Sequence, residues 1–120
     1  MTDTEKAPRT IAVVAADLIF ASRIRAAADA AGVRARFARN DAELIDAAAD
    51  ADLVIVDLDA RWLDPSTSIQ RVKQQHATPI VAFVSHVRTD AIEAARAAGA
   101  DRVLARSAFV QQLPDILNGR

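Results

Sequence analysis

Three short stretches of this chain are apolar without alternation and rich in β-branched residues: "TIAVVA" at 10–15, "LVIV" at 53–56 and "TPIVAFV" at 78–84. A strand with one wet face alternates polar and apolar residues, whereas an unalternating strand is covered on both faces. The covering layers are supplied by the segments in between. "LIFASRIRAAADAAG" places Phe20, Ile24, Ala27, Ala28 and Ala31 at helical spacing and stops at Gly32. Buried strands separated by amphipathic helices predict an α/β chain with a parallel sheet between two helical layers.

The remaining segments fill in that plan. "VRARFA" alternates with period two, as a half-exposed edge strand does. Asn40 or Asp41 caps a short alanine-rich helix to about residue 49, with Leu44 and Ile45 inward. Asp64 is placed to cap a third helix, with Pro65 at its first position and Ile69 and Val72 inward. "RTDAIEAARAAGA" reads as a fourth helix from about residue 89 to Gly99, "DRVLAR" as a fifth strand and "SAFVQQLPDILNGR" as a last helix. Four of the five strands read as buried. Pro114 either kinks the last helix or opens a short final turn. The expected organisation is a disordered lead-in over residues 1–9 and one domain over 10–118, a common domain size.

Charge and cysteine content exclude several function classes. With a net charge of -1 and no Lys/Arg block, the chain lacks the basic patch that nucleic acid requires. Without cysteine there is no disulfide, thiolate catalysis or thiolate zinc site. No apolar run approaches the roughly 20 residues of a membrane span, and the polar N-terminus has no signal core, so a cytoplasmic location is expected.

In a parallel sheet of this kind the functional crevice lies at the C-terminal ends of the strands. The chain places Ala15, Ala16, Asp17, Asp57, Asp59, Ser85, His86, Arg106 and Ser107 there, with Arg61 close by. Asp57, at the end of a buried run, has three readings: a phosphate acceptor, a metal ligand, or an acid paired with Arg106 across the crevice. Trp62 directly follows the acidic loop, where it either lids the crevice or belongs to a docking surface. "SHVRTD" suggests a catalytic triad, but Ser85 and His86 are sequence neighbours, and a triad converges from separate elements. No glycine-rich phosphate loop exists, since the glycines are Gly32, Gly99 and Gly119, so a flavin or dinucleotide site of the usual kind lacks its motif.

Four passages carry a resemblance to a known family: "LVIVDLD", "TPIVAFVS", "AARAAGADRVLAR" and "RSAF". Over residues 10–118 the chain resembles the receiver domain of two-component response regulators. That resemblance implies a flavodoxin-like (βα)5 doubly wound sandwich, its five-stranded parallel sheet in the order 2-1-3-4-5. It places the phosphoacceptor position on Asp57 and a surface for partners on the fourth helix, fifth strand and last helix. Partners so implied are a histidine kinase or another regulator, with homodimerisation through the same face.

The departures from the family pattern bear on its chemistry. Receivers end their first strand in two adjacent acids that hold Mg²⁺; here those positions are Ala15 and Ala16. Any metal site is reduced to Asp57 and Asp59, fewer hard oxygen ligands than Mg²⁺ usually takes. The switch hydroxyl falls on Val84, with Ser85 one residue late, and the phosphate-bridging lysine is Arg106. The expectation is therefore a non-enzymatic, receiver-like signalling domain that works by protein–protein contact without phosphorylation and without a cofactor. The alternatives are a working phosphorelay receiver using Asp57 with Mg²⁺, and a sensor of small anions at the crevice with Arg61, His86 and Arg106.

Overall fold

The computed structural model describes residues 9–85 and 88–119, so all but the last residue of the expected lead-in, and His86, lie outside the described residues. Strands and helices alternate: β1 (Thr10–Val14), α1 (Leu18–Ala31), β2 (Arg34–Phe37), α2 (Asp41–Ala49), β3 (Leu53–Asp57), α3 (Pro65–Gln75), β4 (Ile80–Val84), α4 (Thr89–Ala98), β5 (Arg102–Ala105) and α5 (Arg106–Leu117). The strands form one parallel sheet in the order β2-β1-β3-β4-β5. This is the flavodoxin-like doubly wound arrangement that the resemblance implied.

The unalternating strands divide their residues between two cores. Successive side chains of a strand point to opposite faces. Thus Ile11, Val13, Leu53, Ile55, Val81 and Phe83 pack with Phe20 and Ile24 of α1 and Phe109, Leu113 and Ile116 of α5. The intervening Ala12, Val14, Val54, Val56, Ala82 and Val84 pack with Leu44 of α2, Ile69 and Val72 of α3 and Ala95 of α4. β1 (after its first residue), β3 and β4 are fully buried. At roughly 1.5–3 kcal/mol for each large apolar side chain taken from water, these strands carry much of the fold's stabilisation. Phe20, Phe83 and Phe109 form a ring cluster, with Phe83 and Phe109 stacked at 4.4 Å and Phe20 at 4.9 Å from Phe83.

Several expectations change. β5 is half-buried, because it closes the far edge of the sheet, so three strands and not four are covered on both faces. Asp64 occupies the N-cap position of α3 but makes no capping bond to the backbone; its carboxylate accepts from the Thr67 hydroxyl at 2.7 Å. Asn40 rather than Asp41 caps α2, accepting from the Glu43 N–H. Arg106 opens α5 instead of ending β5. α5 runs through Pro114 without a break. Proline costs that helix one hydrogen bond, but Leu113, Ile116 and Leu117 on either side are all buried, and their packing holds the helical path.

The two glycine helix stops differ physically. Gly32 and Gly99 both take positive φ, 71° and 120°. A Cβ at Gly32 would meet nothing within 4 Å, whereas one at Gly99 would lie 2.8 Å from Lys73 Cγ. Only at Gly99 does close approach add to the backbone requirement.

Candidate functional site

The C-terminal ends of β1, β3 and β4 meet at Asp57. It ends β3 between two apolar neighbours and is completely buried, one of two buried polar or charged residues among those described. Burial of a carboxylate is costly unless its oxygens are satisfied. Two backbone groups do this: the Ala16 N–H donates to Oδ2 at 2.8 Å, and the Asp59 N–H donates to Oδ1 at 2.9 Å. The guanidinium of Arg106 lies 3.5 Å from Oδ2, an ion pair longer than a good hydrogen bond. Burial pushes the Asp57 carboxyl above its ordinary range. The two N–H bonds and Arg106 oppose that rise, and the charge of Asp59 adds to it.

Arg106 reaches this position because it opens α5 directly above the aromatic cluster. Its guanidinium carbon sits 4.3 Å from the centre of the Phe20 ring and 5.9 Å from that of Phe83. It also approaches Asp17 at 3.9 Å. Its Nε is buried without a hydrogen-bond partner among the described residues. Cation–π contact and proximity to two acids therefore hold the guanidinium, in place of directed hydrogen bonds.

Asp59 has a separate set of partners. The Ser85 N–H donates to Oδ2 at 2.8 Å, and Arg88 reaches Oδ1 at 3.3 Å while also donating to the Leu58 carbonyl at 3.1 Å. Burial opposes its charge, yet the Ser85 bonds and the Arg88 and Arg106 charges hold its carboxyl below the usual range. Asp17 divides its carboxylate: Oδ1 caps α1, accepting from the Phe20 N–H at 2.7 Å, and Oδ2 is the oxygen that faces Arg106.

Of the residues expected at the crevice, the fold brings Asp57, Asp59, Asp17, Arg106 and Ser85 together. Ser85 takes part through its N–H, and it is exposed. Arg61 and Ser107 are exposed and carry no hydrogen bond or ion pair to the acids. His86 lies outside the described residues. Arg88 was not foreseen. It stands four residues beyond the end of β4, and only the folded path of the β4–α4 connection brings its long side chain back over β3. Among the described residues no three His, Cys, Asp or Glu side chains are grouped to hold a metal ion.

Beside the acids, on the β2 side, runs a groove of about 470 Å³ lined by residues that include Ala15, Ala16, Leu18, Ala21, Arg25, Phe37 and Trp62. Trp62 is 46% exposed, and Leu18 and Ile19 are each 85% exposed at the start of α1. "LIF" is apolar throughout, but a helix turns only one of those three side chains, Phe20, into the core.

Comparison with solved structures agrees with this geometry. The chemotaxis protein CheY4 of Vibrio cholerae superposes with a TM-score of 0.80 at 18% identity, covering 94% of this chain and 98% of that one. A two-component response regulator from Clostridium difficile gives 0.78 at 17% identity, covering 93% and 97%. This chain has the receiver fold. The phosphorylated cyanobacterial phytochrome response regulator RcpA shares that fold, with a TM-score of 0.73 at 20% identity over 94% and 91% of the chains. No family model matches the sequence, and no curated protein does. The receiver fold is thus retained at an identity too low to carry its chemistry across. Within it, β3 ends in an acid and β1 runs out into two alanines.

Proposed function

We propose that this chain is a receiver-like signalling module that acts through protein–protein contact, independently of phosphorylation. One observation carries the reading: β1 runs out into Ala15 and Ala16 beside Asp57, and among the described residues no group of acids or histidines is placed to hold a metal ion there. Attack on a phosphoryl group by a carboxylate needs cations that neutralise the group in transit. Ala15 and Ala16 supply no metal-binding oxygen from their side chains, and the oxygens of Asp59 are taken by Ser85 and Arg88. This donor set does not fit Mg²⁺. Arg106 and Arg88 serve as internal counter-charges and leave the acids neutralised from within the fold.

A constitutive state of the sheet edge then presents fixed surfaces. α4 buries only Ala95, and β5 is half-buried, so the α4–β5–α5 face is available to a protein partner or to a second copy of the chain. The test is incubation of the full chain with beryllofluoride and Mg²⁺, and with acetyl phosphate and Mg²⁺. The expected outcome is no mass change and no amide shift at Asp57 while the protein stays folded. An adduct that is lost in Asp57→Asn would establish a working phosphoacceptor instead.

A further inference from the structure

We propose that the groove between α1, the end of β2 and Trp62 is a binding site for a small planar aromatic anion. Its floor is built from side chains too small to fill it: Ala15, Ala16, Ala21 and Ala38. Its aromatic lining comes from two separate elements, Phe37 ending β2 and Trp62 in the loop after β3. A volume of about 470 Å³ lies in the range that holds small ligands, and most of the lining is apolar with a few polar groups. It lies at the C-terminal ends of β1 and β2, the edge of a doubly wound sheet where ligands bind.

The charge preference comes from Arg25. Its guanidinium carbon is held 4.5 Å from the centre of the Phe37 ring, and it is paired with no carboxylate among the described residues. Arg39, at the same groove, is already engaged by Glu43. Asp17 also lines the groove, but it is committed to the α1 cap and to Arg106. A flat ring lying on the alanine floor beside Trp62 would bury apolar area there, and its acid group would meet Arg25, which has no carboxylate partner among the described residues. A planar, delocalised guanidinium fixed against an aromatic face is suited to a carboxylate, sulfonate or phosphate. The site is independent of any chemistry at Asp57, although Ala16 serves both.

The test titrates the full, isotopically labelled chain with 2-naphthoate and, separately, with its uncharged isostere 2-naphthamide, following amide and indole resonances. Saturable shifts are expected at Ala15–Ala21, Phe37–Arg39 and the Trp62 indole, with the amide binding about tenfold more weakly for want of the charge-assisted bond. Arg25→Gln should bring naphthoate down to the affinity of the amide while leaving the amide unchanged. Arg34→Gln, which alters a neighbouring arginine outside this groove, should change neither. Absence of saturable shifts, shifts that saturate elsewhere, or equal binding of acid and amide to the unmodified chain would overturn the proposal. A beryllofluoride adduct at Asp57 would leave it standing, so the two readings fail separately.

Discussion

Two aspartates, one at each edge of the same sheet, solve the same problem in opposite ways. At the N-terminal edge Asp101 stands half-exposed before β5. It accepts the Ile80 N–H at 2.7 Å and the Lys73 ammonium at 2.8 Å, and the ammonium also donates to the Thr78 carbonyl. Burial works against its charge, but Lys73 and the Ile80 N–H outweigh it, and the carboxyl is held below the usual range. At the C-terminal edge Asp57 has two N–H donors and an arginine, yet its carboxyl is pushed up. The number of partners does not separate them. Solvent does: Asp101 keeps water on one side, and Asp57 keeps none. A carboxylate at the lower edge therefore adds to stability by being charged, whereas at the upper edge it is tolerated because cations and amides surround it.

The sharpest way to break this contrast is Arg106→Met, which removes the only cation within ion-pairing distance of Asp57 among the described residues and keeps the apolar cover over Phe20. Leaving a buried charge unpaired should destabilise the fold by about 3 kcal/mol at neutral pH. The sign in acid follows from the raised carboxyl of Asp57. Its proton is bound more tightly in the folded chain, so the Arg106→Met deficit should shrink as pH falls through the folded-state value. Urea unfolding at a series of pH values checks both parts; a deficit that is constant in pH would break the account of Asp57.

At the lower edge the prediction is smaller. Asp101→Asn should cost about 1.5 kcal/mol at neutral pH, the loss of charge-assisted bonds at a half-exposed site. Because the folded-state carboxyl is depressed, its contribution is complete above the unfolded-state value near 4 and is lost as pH falls through the folded-state value. The difference between Asp101→Asn and the parent should therefore close in strong acid, as measured by the same unfolding series. Asp17→Ala should have the smallest effect, about 1 kcal/mol from the lost α1 cap. It sharpens the comparison, since Asp17 shares Arg106 with Asp57: amide shifts around Arg106 should accompany the drop in melting temperature, and their absence would separate the cap from the site.

Much of the sheet was legible because its signal is redundant. Each of β1, β3 and β4 spells burial in several consecutive residues, and helix ends at Gly32 and Gly99 mark the segments between. β5 was read as buried because "RVLA" has the composition of a core strand; only its place at the sheet's edge, a long-range property, makes it half-exposed. Pro114 could not be settled locally, since the answer depends on what Leu113, Ile116 and Leu117 pack against. The acids and Arg106 at the crevice were legible because strand ends fix their positions. Arg88, the exposed Leu18 and Ile19, and the groove beside Trp62 were not. They depend on how a long side chain reaches back or on what a neighbouring segment leaves uncovered, and neither leaves a periodic trace.

The hold on Asp57 has a genetic side. Of its three partners among the described residues, two are main-chain amides, those of Ala16 and Asp59, and a main-chain amide survives every substitution except proline. The third, Arg106, is written in a side chain. Placing acids at 15 and 16 would restore the look of a metal site while leaving those amides where they are. Mutation can therefore adjust this clamp chiefly through a single codon, that of position 106.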